Sequence, residues 1–538
     1  MQTLAVPNRE ERGGLAANAV RAALLLVLSA GGAFAQRSAP LPPPCSFGGG
    51  INVAVKRPYV GLPTLDVIWF SSLEEGSSPG VYGDGFRQAL ARRLSSSVFR
   101  IGVIEDAVHR PASGGDAGSV ITLATRAGAK YALAGVPSVG SNGVLRVTVA
   151  LFEIPQRNPV WRRSLPYDSA GTLALEQAIS IEVATKIVGK LTSKERQLLA
   201  RSPTQKGQAY DALLRGDGDF LAGTADSAAG DYEAALKLDP RFGDAQAKLA
   251  LANVELYQNG EEPRGAFARL VRQARAAADQ ARAVDPASPI TWLAEARVRM
   301  AEGQPIREWR RAFEHALTLD PRNAAVLEEY GLAMTTTDDR ATARGLLQRA
   351  SSVTSGRAKA STALAELALA DGNDAAACAY LNEAINNDPV YPPAWALRGV
   401  LRAKHRDLRY AWPDAETATR LGNGFLGESG SAIIDLIARD TTRARERLTD
   451  LWQIVRNDGT VNARNGRALA SALVALGDTP RALDVLESIH PRGPWYAAAL
   501  RDPTFDKARG TSRFRALIAP DSNPAPRAKA NNRSRAAP

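Results

Sequence analysis

The sequence is poor in the residues that build disulfide frameworks, metal centres and large aromatic cores. Its 538 residues include two cysteines and four histidines, and only 6% are aromatic. Cys45 and Cys378 cannot make a disulfide framework or a cysteine metal site, and no pattern supports a bond between them, although one is possible. This scarcity predicts a chain whose folding does not depend on oxidation.

Motifs for metal, nucleotide or acyl chemistry are also missing. No HExxH or GxxxxGK[ST] segment occurs, and His109, His315, His405 and His490 are far apart in the chain. Residues 76–80 read GSSPG, which matches G-x-S-x-G, but the proline after the serine has no N–H to offer an oxyanion hole. We therefore expect no catalytic, cofactor-binding or metal-binding residues, and a protein that is not an enzyme.

Long apolar runs are lacking too. A membrane-spanning helix needs about 20 consecutive apolar residues, and no run in the sequence is that long. A short run, AALLLVLSAGGAFA at 22–35, follows three arginines and ends in a small-x-small pattern typical of a signal peptidase site. We predict a signal peptide over 1–35, cleaved after Ala35, with an uncleaved anchor as the alternative. The mature chain is then exported, periplasmic and without a transmembrane helix, and it begins with a Pro/Gly-rich linker at 36–50.

No acidic residue follows Asp521 at the C-terminal end. The formal net charge of the chain is +11, and four positive charges lie in the tail as Arg527, Lys529, Arg533 and Arg535. We interpret residues 521–538 as a basic disordered tail. It is either a solvated terminus or a segment that contacts a membrane surface.

Residues 51–200 alternate strand-like and helical patterns. LDVIWF (65–70) and VLRVTVALFEI (144–154) are typical of strands, and DGFRQALARRLSSS (84–97) is typical of an amphipathic helix. A long amphipathic helix is predicted from about 171 to 200. The alternation predicts an α/β domain with a mixed sheet.

This region resembles the TolB amino-terminal-like domain. The resemblance is carried by GDGFRQALARRLSSSVFRIGVIE, by GAKYALAGVPSVGSNGVLRVTVALFEIPQRNPVWRRSLPYD and by the helix IEVATKIVGKL. The first strand departs from the usual pattern, since Ile68-Trp69-Phe70 replaces a proline-phenylalanine ending. The resemblance implies an accessory domain that precedes helical repeats in bacterial regulators, including those of the adenylate-cyclase type.

Residues 205–500 carry a repeat. Pro240, Pro286, Pro321 and Pro389 each follow an aspartate, and the equivalent positions, with Ser355 and Asn423, are spaced by 46, 35, 34, 34 and 34 residues. Such a fixed period is typical of a solenoid. It resembles the tetratricopeptide (TPR) repeat, and we predict an all-α solenoid of six to eight helix pairs, capped by residues 501–520.

Small residues recur where the paired helices are expected to cross. The predicted first helices carry Ala250, Ala296, Gly331, Ala365 and Gly399 at equivalent positions. The second helices place a larger residue opposite, such as Tyr232, Phe313 or Leu347, and proline then ends the helix. The extra residues behind the spacing of 46 are predicted near 260–266.

The inner face of such a solenoid is the candidate binding site. By register, we expect Arg297, Glu328, Lys359, Glu366 and Lys404 to point inward among aliphatic side chains. Mixed charges favour a protein or peptide partner and not a nucleic acid, which would favour a uniformly basic face. The alternative is that these are ordinary solvated side chains.

The sequence therefore predicts a non-catalytic exported scaffold or adaptor that binds envelope proteins through the groove. One alternative is an accessory module related to adenylate-cyclase-type regulators that lacks the catalytic domain. Two others are an enzyme with a site between the α/β domain and the repeats, and a cytoplasmic regulator whose start codon has been set wrongly.

Overall fold

A computed structural model describes eleven stretches of the chain, which lie within two compact units, 1–43 and 44–538. The described residues are 43–47, 61–70, 81–104, 117–139, 145–166, 171–259, 267–353, 358–422, 424–459, 461–489 and 503–518. The predicted signal peptide, the GSSPG segment, His109, His490 and the basic tail lie outside these residues. The sheet and the repeats belong to the second unit.

A mixed five-stranded sheet forms the first part of this unit. Its strands are β1 (Thr64–Phe70), β2 (Gly102–Ile104), β3 (Tyr131–Val139), β4 (Leu145–Glu153) and β5 (Pro159–Pro166). The order is β2-β1-β3-β4-β5, with β1 parallel to both neighbours and the β3–β4 and β4–β5 pairs antiparallel. The predicted mixed sheet is confirmed.

Helices cover both faces of the sheet. One face packs on α1 (Val81–Ser97) and α3 (Thr172–Val188), with Phe86, Leu90 and Ile179 in a shared core. The other face packs on α2 (Ala117–Ala127). The first core continues without a break into the helices that follow, so the sheet and the first repeats are joined by one hydrophobic cluster.

The remaining helices pair into a solenoid, and the predicted all-α TPR-type array is confirmed. Eight consecutive pairs occur in the described residues. They are α5 (Gly207–Leu221) with α6 (Ala225–Leu238), α7 (Gly243–Asn259) with α8 (Phe267–Val284), α9 (Pro289–Ala301) with α10 (Ile306–Leu319), α11 (Ala324–Met334) with α12 (Arg340–Val353), α13 (Ala358–Ala370) with α14 (Asp374–Asn387), α15 (Pro392–Lys404) with α16 (Leu408–Leu421), α17 (Phe425–Ile437) with α18 (Thr441–Asp458), and α19 (Ala463–Leu476) with α20 (Thr479–Ser488). The 3-10 turn Pro503–Phe505 and the short helices α21 (Asp506–Arg509) and α22 (Ser512–Ile518) follow, and Phe505 and Phe514 are buried against the last pairs.

Glycines at the helix crossings leave no room for a side chain. A Cβ placed on Gly331 would lie 2.8 Å from the Cγ atom of Leu347, and one placed on Gly216 would lie 2.6 Å from the Tyr232 ring. A larger residue from the second helix thus occupies the space that the small residue of the first helix leaves. The pattern of small and large residues in the sequence is a packing pattern.

The aspartate before each repeat proline has a structural role of its own. The Oδ1 atoms of Asp239, Asp285, Asp320 and Asp388 each accept a hydrogen bond from the backbone N–H two residues later, at 3.1 to 3.2 Å. These contacts form Asx turns, in which a side chain replaces a backbone acceptor. The Asp-Pro pair therefore ends one helix and also shapes the turn into the next.

One predicted helix boundary is wrong. The helix expected from about 171 to 200 is divided, because Gly189 has a φ of 77° and Thr192 starts a new helix, α4 (Ser193–Leu199). Thr192 and Glu195 form a capping box, which satisfies N–H groups that a continuous helix would use. The insertion predicted near 260–266 lies outside the described residues, and the helices on either side of it, α7 and α8, have 17 and 18 residues against 13 and 14 in the next pair.

The two cysteines form a disulfide, contrary to the expectation of a chain whose folding is independent of oxidation. Cys45 is bonded to Cys378 of α14, across a sequence separation of 333 residues. Residues 44–47 of the predicted linker thus pack on the repeats. Sequence spacing gives no signal for such a bond, because the fold alone decides which distant residues meet.

Candidate functional site

A groove of about 470 Å³ runs along the first helices of five consecutive pairs and ends against α1. We call it the inner groove. Its walls come from α1, α5, α7, α9, α11 and α13, with Tyr391 at the start of α15. Leu251, Leu293 and Ala325 supply apolar surface, and the charged groups stand among them. The groove therefore offers both aliphatic contact and polar anchoring.

Arg297 lies at the centre of the inner groove and is held by carboxylates from two neighbouring helices. Its guanidinium pairs with Glu329 of α11 and lies 3.4 Å from Glu255 of α7, and it donates to the Gln258 side chain at 2.8 Å. Burial lowers the pKa of Arg297, but these carboxylates outweigh burial and raise it. Arg297 is thus a fixed cation whose hydrogen bonds are largely used within the protein.

Lys359 differs from Arg297 because it forms no ion pair with the described residues. Its side chain is exposed to solvent and lines the groove from α13. Partial desolvation lowers the pKa of Lys359, but Glu255, Glu329 and Glu328 raise it above its ordinary value. Lys359 therefore stays protonated and accessible, with its donors available to a ligand.

A residue from the penultimate helix of the array, α19, also belongs to this electrostatic environment. Arg464 lies beside Tyr391, and the Tyr391 phenol raises the pKa of the Arg464 guanidinium. Burial lowers this pKa, but Glu366 and Glu255 also raise it, so that it lies above its ordinary value. These partners come from α13, from α7 and from the start of α15. Arg464, which no sequence pattern indicated, thus brings a further cation toward the groove.

A buried network closes the end of the inner groove next to α1. Asp217 of α5 accepts hydrogen bonds from Lys248 at 2.6 Å, from the Tyr232 hydroxyl at 3.0 Å and from Arg92 at 2.5 Å. Burial raises the pKa of Asp217, but the two cations outweigh it and lower the pKa. Because Arg92 comes from α1, this network ties the α/β domain to the first two repeats.

The sequence could have indicated Asp217 only weakly. It lies in the GDGD segment at 216–219, which lacks calcium-loop spacing and has the composition of a surface turn. In the structure, this segment is inside α5, where Gly216 meets Tyr232 and Asp217 is 3% exposed. An acidic residue on the inward face of a helix indicates such a network. The cationic partners of Asp217 lie 125 residues before it and 31 residues after it, so the sequence does not identify them.

The five predicted site residues do not all lie together. Arg297, Glu328 and Lys359 line the inner groove, and Glu328 is buried within it. Glu366 is exposed on α13 and acts on Arg464. Lys404 lies elsewhere, because its ammonium pairs with Asp374 of α14 at 2.7 Å. The predicted register is thus useful for the central helices and fails at the end of α15.

Neither a metal cluster nor a spanning helix occurs in the part of the chain that the structure describes. No group of three or more His, Cys, Asp or Glu residues there has the arrangement of a metal site. Among the same residues, no helix is both long and apolar enough to cross a bilayer.

Comparisons with known proteins give similarity to solved TPR structures. No family model matches the chain, and no curated protein matches it. PilF of Pseudomonas aeruginosa is 21% identical over 39% of this chain and 93% of its own, with a TM-score of 0.32. PilW, a type IV pilus biogenesis factor, is 19% identical over 39% and 91%, with a TM-score of 0.33. Human IFIT1 bound to m7Gppp-AAAA is 14% identical over 61% and 84%, with a TM-score of 0.36. At these TM-scores, the similarities carry no argument about function.

Proposed function

We propose that the protein is a non-catalytic scaffold that binds a protein or peptide segment in the inner groove. This proposal rests on a difference between two cations of the groove, Arg297 and Lys359, in whether they form ion pairs. Arg297 is paired with carboxylates of the protein itself, whereas Lys359 is charged, exposed and without an ion pair among the described residues. The aliphatic residues around it suit a side chain or backbone of a polypeptide.

The charge balance of the groove argues against a nucleic acid as the ligand. Glu255, Glu328 and Glu329 stand beside Arg297 and Lys359, so the surface alternates in sign. A phosphate backbone would meet repulsion at each carboxylate, whereas nucleic-acid sites are uniformly basic. A polypeptide with its own mixed charges meets complementary groups instead.

The α/β domain is proposed to form the closed end of the groove. Its helix α1 contributes Arg92 and Ala91 to the lining, and Arg92 is held by Asp217 of the first repeat. The resemblance to the TolB amino-terminal-like domain supports an accessory role for this domain, as does its shared core with the repeats.

An exported location is part of the proposal. It is supported by the signal-like segment at 1–35 and by the Cys45–Cys378 disulfide, since disulfides persist mainly in oxidising compartments. Partners are then expected among envelope proteins.

The test is a charge reversal at Lys359. The mature chain is immobilised, envelope proteins are captured, and the affinity of the principal partner is measured by calorimetry. Lys359→Glu should weaken binding by about tenfold or more, which corresponds to about 1.4 kcal/mol. The reason is that a further carboxylate would replace the exposed cation of the groove.

The matched control is Lys237→Glu, because Lys237 is an exposed lysine near the end of α6 and does not line the groove. Its affinity should equal that of the unmodified chain, and circular dichroism should show both variants folded. Equal affinities for the two folded variants would contradict a binding role for the inner groove.

A further inference from the structure

Residues 44–47 occupy a cleft on α14 and α15 that is built to hold an extended backbone. The side chain of Asn382 accepts a hydrogen bond from the Cys45 backbone N–H at 3.1 Å and donates one to the Cys45 carbonyl at 3.0 Å. Next to it, the Phe47 ring stacks on His405 with a centroid distance of 4.1 Å. Backbone and side-chain contacts therefore hold the segment in addition to the disulfide.

The Asn382 amide is oriented by a buried ion pair. Its Oδ1 atom also accepts from Arg398 at 3.1 Å, and Arg398 makes two hydrogen bonds of 2.8 Å to the Asp414 carboxylate. Arg398 and Asp414 are both fully or nearly fully buried. This arrangement fixes which end of the amide accepts and which donates, so Asn382 is oriented to pair with both backbone groups of Cys45.

The cleft and the inner groove share one hydrophobic cluster. Cys45 and Cys378 pack in the same cluster as Ala358 and Trp395, and Phe47 and Tyr391 pack against it. Ala358 and Tyr391 also line the inner groove, beside Lys359. Loss of the docked segment would thus remove packing directly behind one wall of the groove.

We propose that the Cys45–Cys378 bond is a covalent clasp that completes the α13–α15 wall of the inner groove, so that this wall becomes ordered only after oxidation. The consequence for ligand binding rests on the function proposed above. Oxidation would then act as a checkpoint, since the chain would gain its complete groove in an oxidising compartment and lack it in a reducing one.

The closing reaction is a thiol–disulfide exchange with a disulfide donor. The Cys378 thiolate attacks one sulfur of the donor, forms a mixed disulfide and releases the first donor thiolate. The Cys45 thiolate then attacks the Cys378 sulfur, which forms the internal bond and releases the second donor thiolate. Two electrons pass to the donor, and the two protons that the cysteines lose go to solvent or to the released thiolates.

Burial makes the closed bond a structural clasp and not a rapidly exchanging switch. Cys45 is 8% exposed and Cys378 is 3% exposed, so an attacking thiolate has little access to either sulfur. The bond also closes a loop of 333 residues, which restricts the unfolded chain strongly. Both effects favour a permanent link once it has formed.

The experiment measures backbone amide exchange by mass spectrometry on the full mature chain. The unmodified protein is compared after incubation with oxidised glutathione and with dithiothreitol. Reduction should accelerate exchange over 358–404 by about tenfold or more, because residues 44–47 are then free to leave α14 and local opening is no longer restricted by the covalent link. Exchange over 207–259 should be unchanged in the same samples.

Cys45→Ala provides the matched variant, because it should show the fast pattern over 358–404 with or without dithiothreitol. Asn382→Ala, which keeps both cysteines, should show a smaller acceleration in the oxidised state. If the variants fail to fold, the two states of the unmodified protein still decide the matter.

Unchanged exchange over 358–404 on reduction would overturn the inference, and so would an equal acceleration of 207–259. Amide exchange is read without any partner, so this result does not depend on the binding experiment. A failure of Lys359→Glu to weaken binding would overturn the proposed function and leave the clasp intact.

Discussion

Glu383 of α14 is a half-buried carboxylate, and no cation among the described residues pairs with it. Burial raises the pKa of Glu383 to about 7, and the neighbouring Ser361 hydroxyl offsets only part of this effect. The adjacent residue, Asn382, donates a hydrogen bond to the Cys45 carbonyl. A protonated Glu383 is therefore expected in the folded state at mildly acidic pH.

This residue predicts a specific pH dependence of stability. A glutamate in an unfolded chain has a pKa of about 4.3, so between about pH 4.3 and 7 the folded state binds a proton that the unfolded state has released. The contribution of Glu383 to the free energy of unfolding should thus be complete below about pH 4.3. It should fall as pH rises to about 7.

Replacing Glu383 by glutamine should remove that dependence. At pH 8, Glu383→Gln should raise the free energy of unfolding by about 1–3 kcal/mol, and the gain should vanish near pH 4.5. Urea unfolding at the two pH values measures the difference. Glu416→Gln, at an exposed position of α16, is the control and should change little. A gain of the same size at both pH values would contradict the assignment.

At the scale of elements, a close backbone contact joins the α/β domain to the repeats. A Cβ on Gly85 of α1 would lie 1.9 Å from the carbonyl oxygen of Leu214 in α5, which is closer than atoms can approach. The two backbones are in direct contact there. The nearby pair between Arg92 and Asp217 adds a charged link across the same two helices.

Gly85→Ala should therefore force α1 and α5 apart. We expect a loss of about 1–3 kcal/mol or more in the free energy of unfolding, measured by urea titration. Gly230→Ala in α6 is the matched control, because a Cβ at that position would meet nothing within 4 Å, and better helix propensity should add about 0.5–1 kcal/mol. If Gly85→Ala were as stable as the control, the two domains would not be joined by this contact.

Helix pairs could be predicted from the sequence because their signals are local. Gly331 and Tyr232 make their contacts, with Leu347 and Gly216, inside a single helix pair, and the aspartate of each Asp-Pro stop bonds within two residues of itself. The break at Gly189 was missed because the apolar stripe continues across it. Only the capping box at Thr192 marks the start of the next helix.

At the scale of the whole molecule, the proposal requires export and removal of the first 35 residues. We predict that mass spectrometry of the protein from the envelope fraction will find an N-terminal peptide that starts at Gln36. The same sample, alkylated without reduction, should contain Cys45 and Cys378 as one linked peptide pair. A chain that retains Met1, carries free thiols and fractionates with the cytoplasm would instead support a cytoplasmic regulator.

The architecture of this protein follows from local signals along the chain. An alternation of strands and helices, followed by landmarks at a period near 34, specifies a mixed sheet and a TPR-type solenoid, because helix periodicity and helix packing depend on neighbouring residues. The same register also indicated three of the groove residues, Arg297, Glu328 and Lys359.

The pairing of charges and cysteines, in contrast, depends on the folded chain. Arg297 forms ion pairs and Lys359 forms none with the described residues, and this difference depends on which side chains the neighbouring helices supply. The approach of Arg464 to Tyr391 and the bond between Cys45 and Cys378 require the chain to fold back over long separations. Local patterns carry no information on such contacts, since curvature accumulated over many helix pairs brings the residues together.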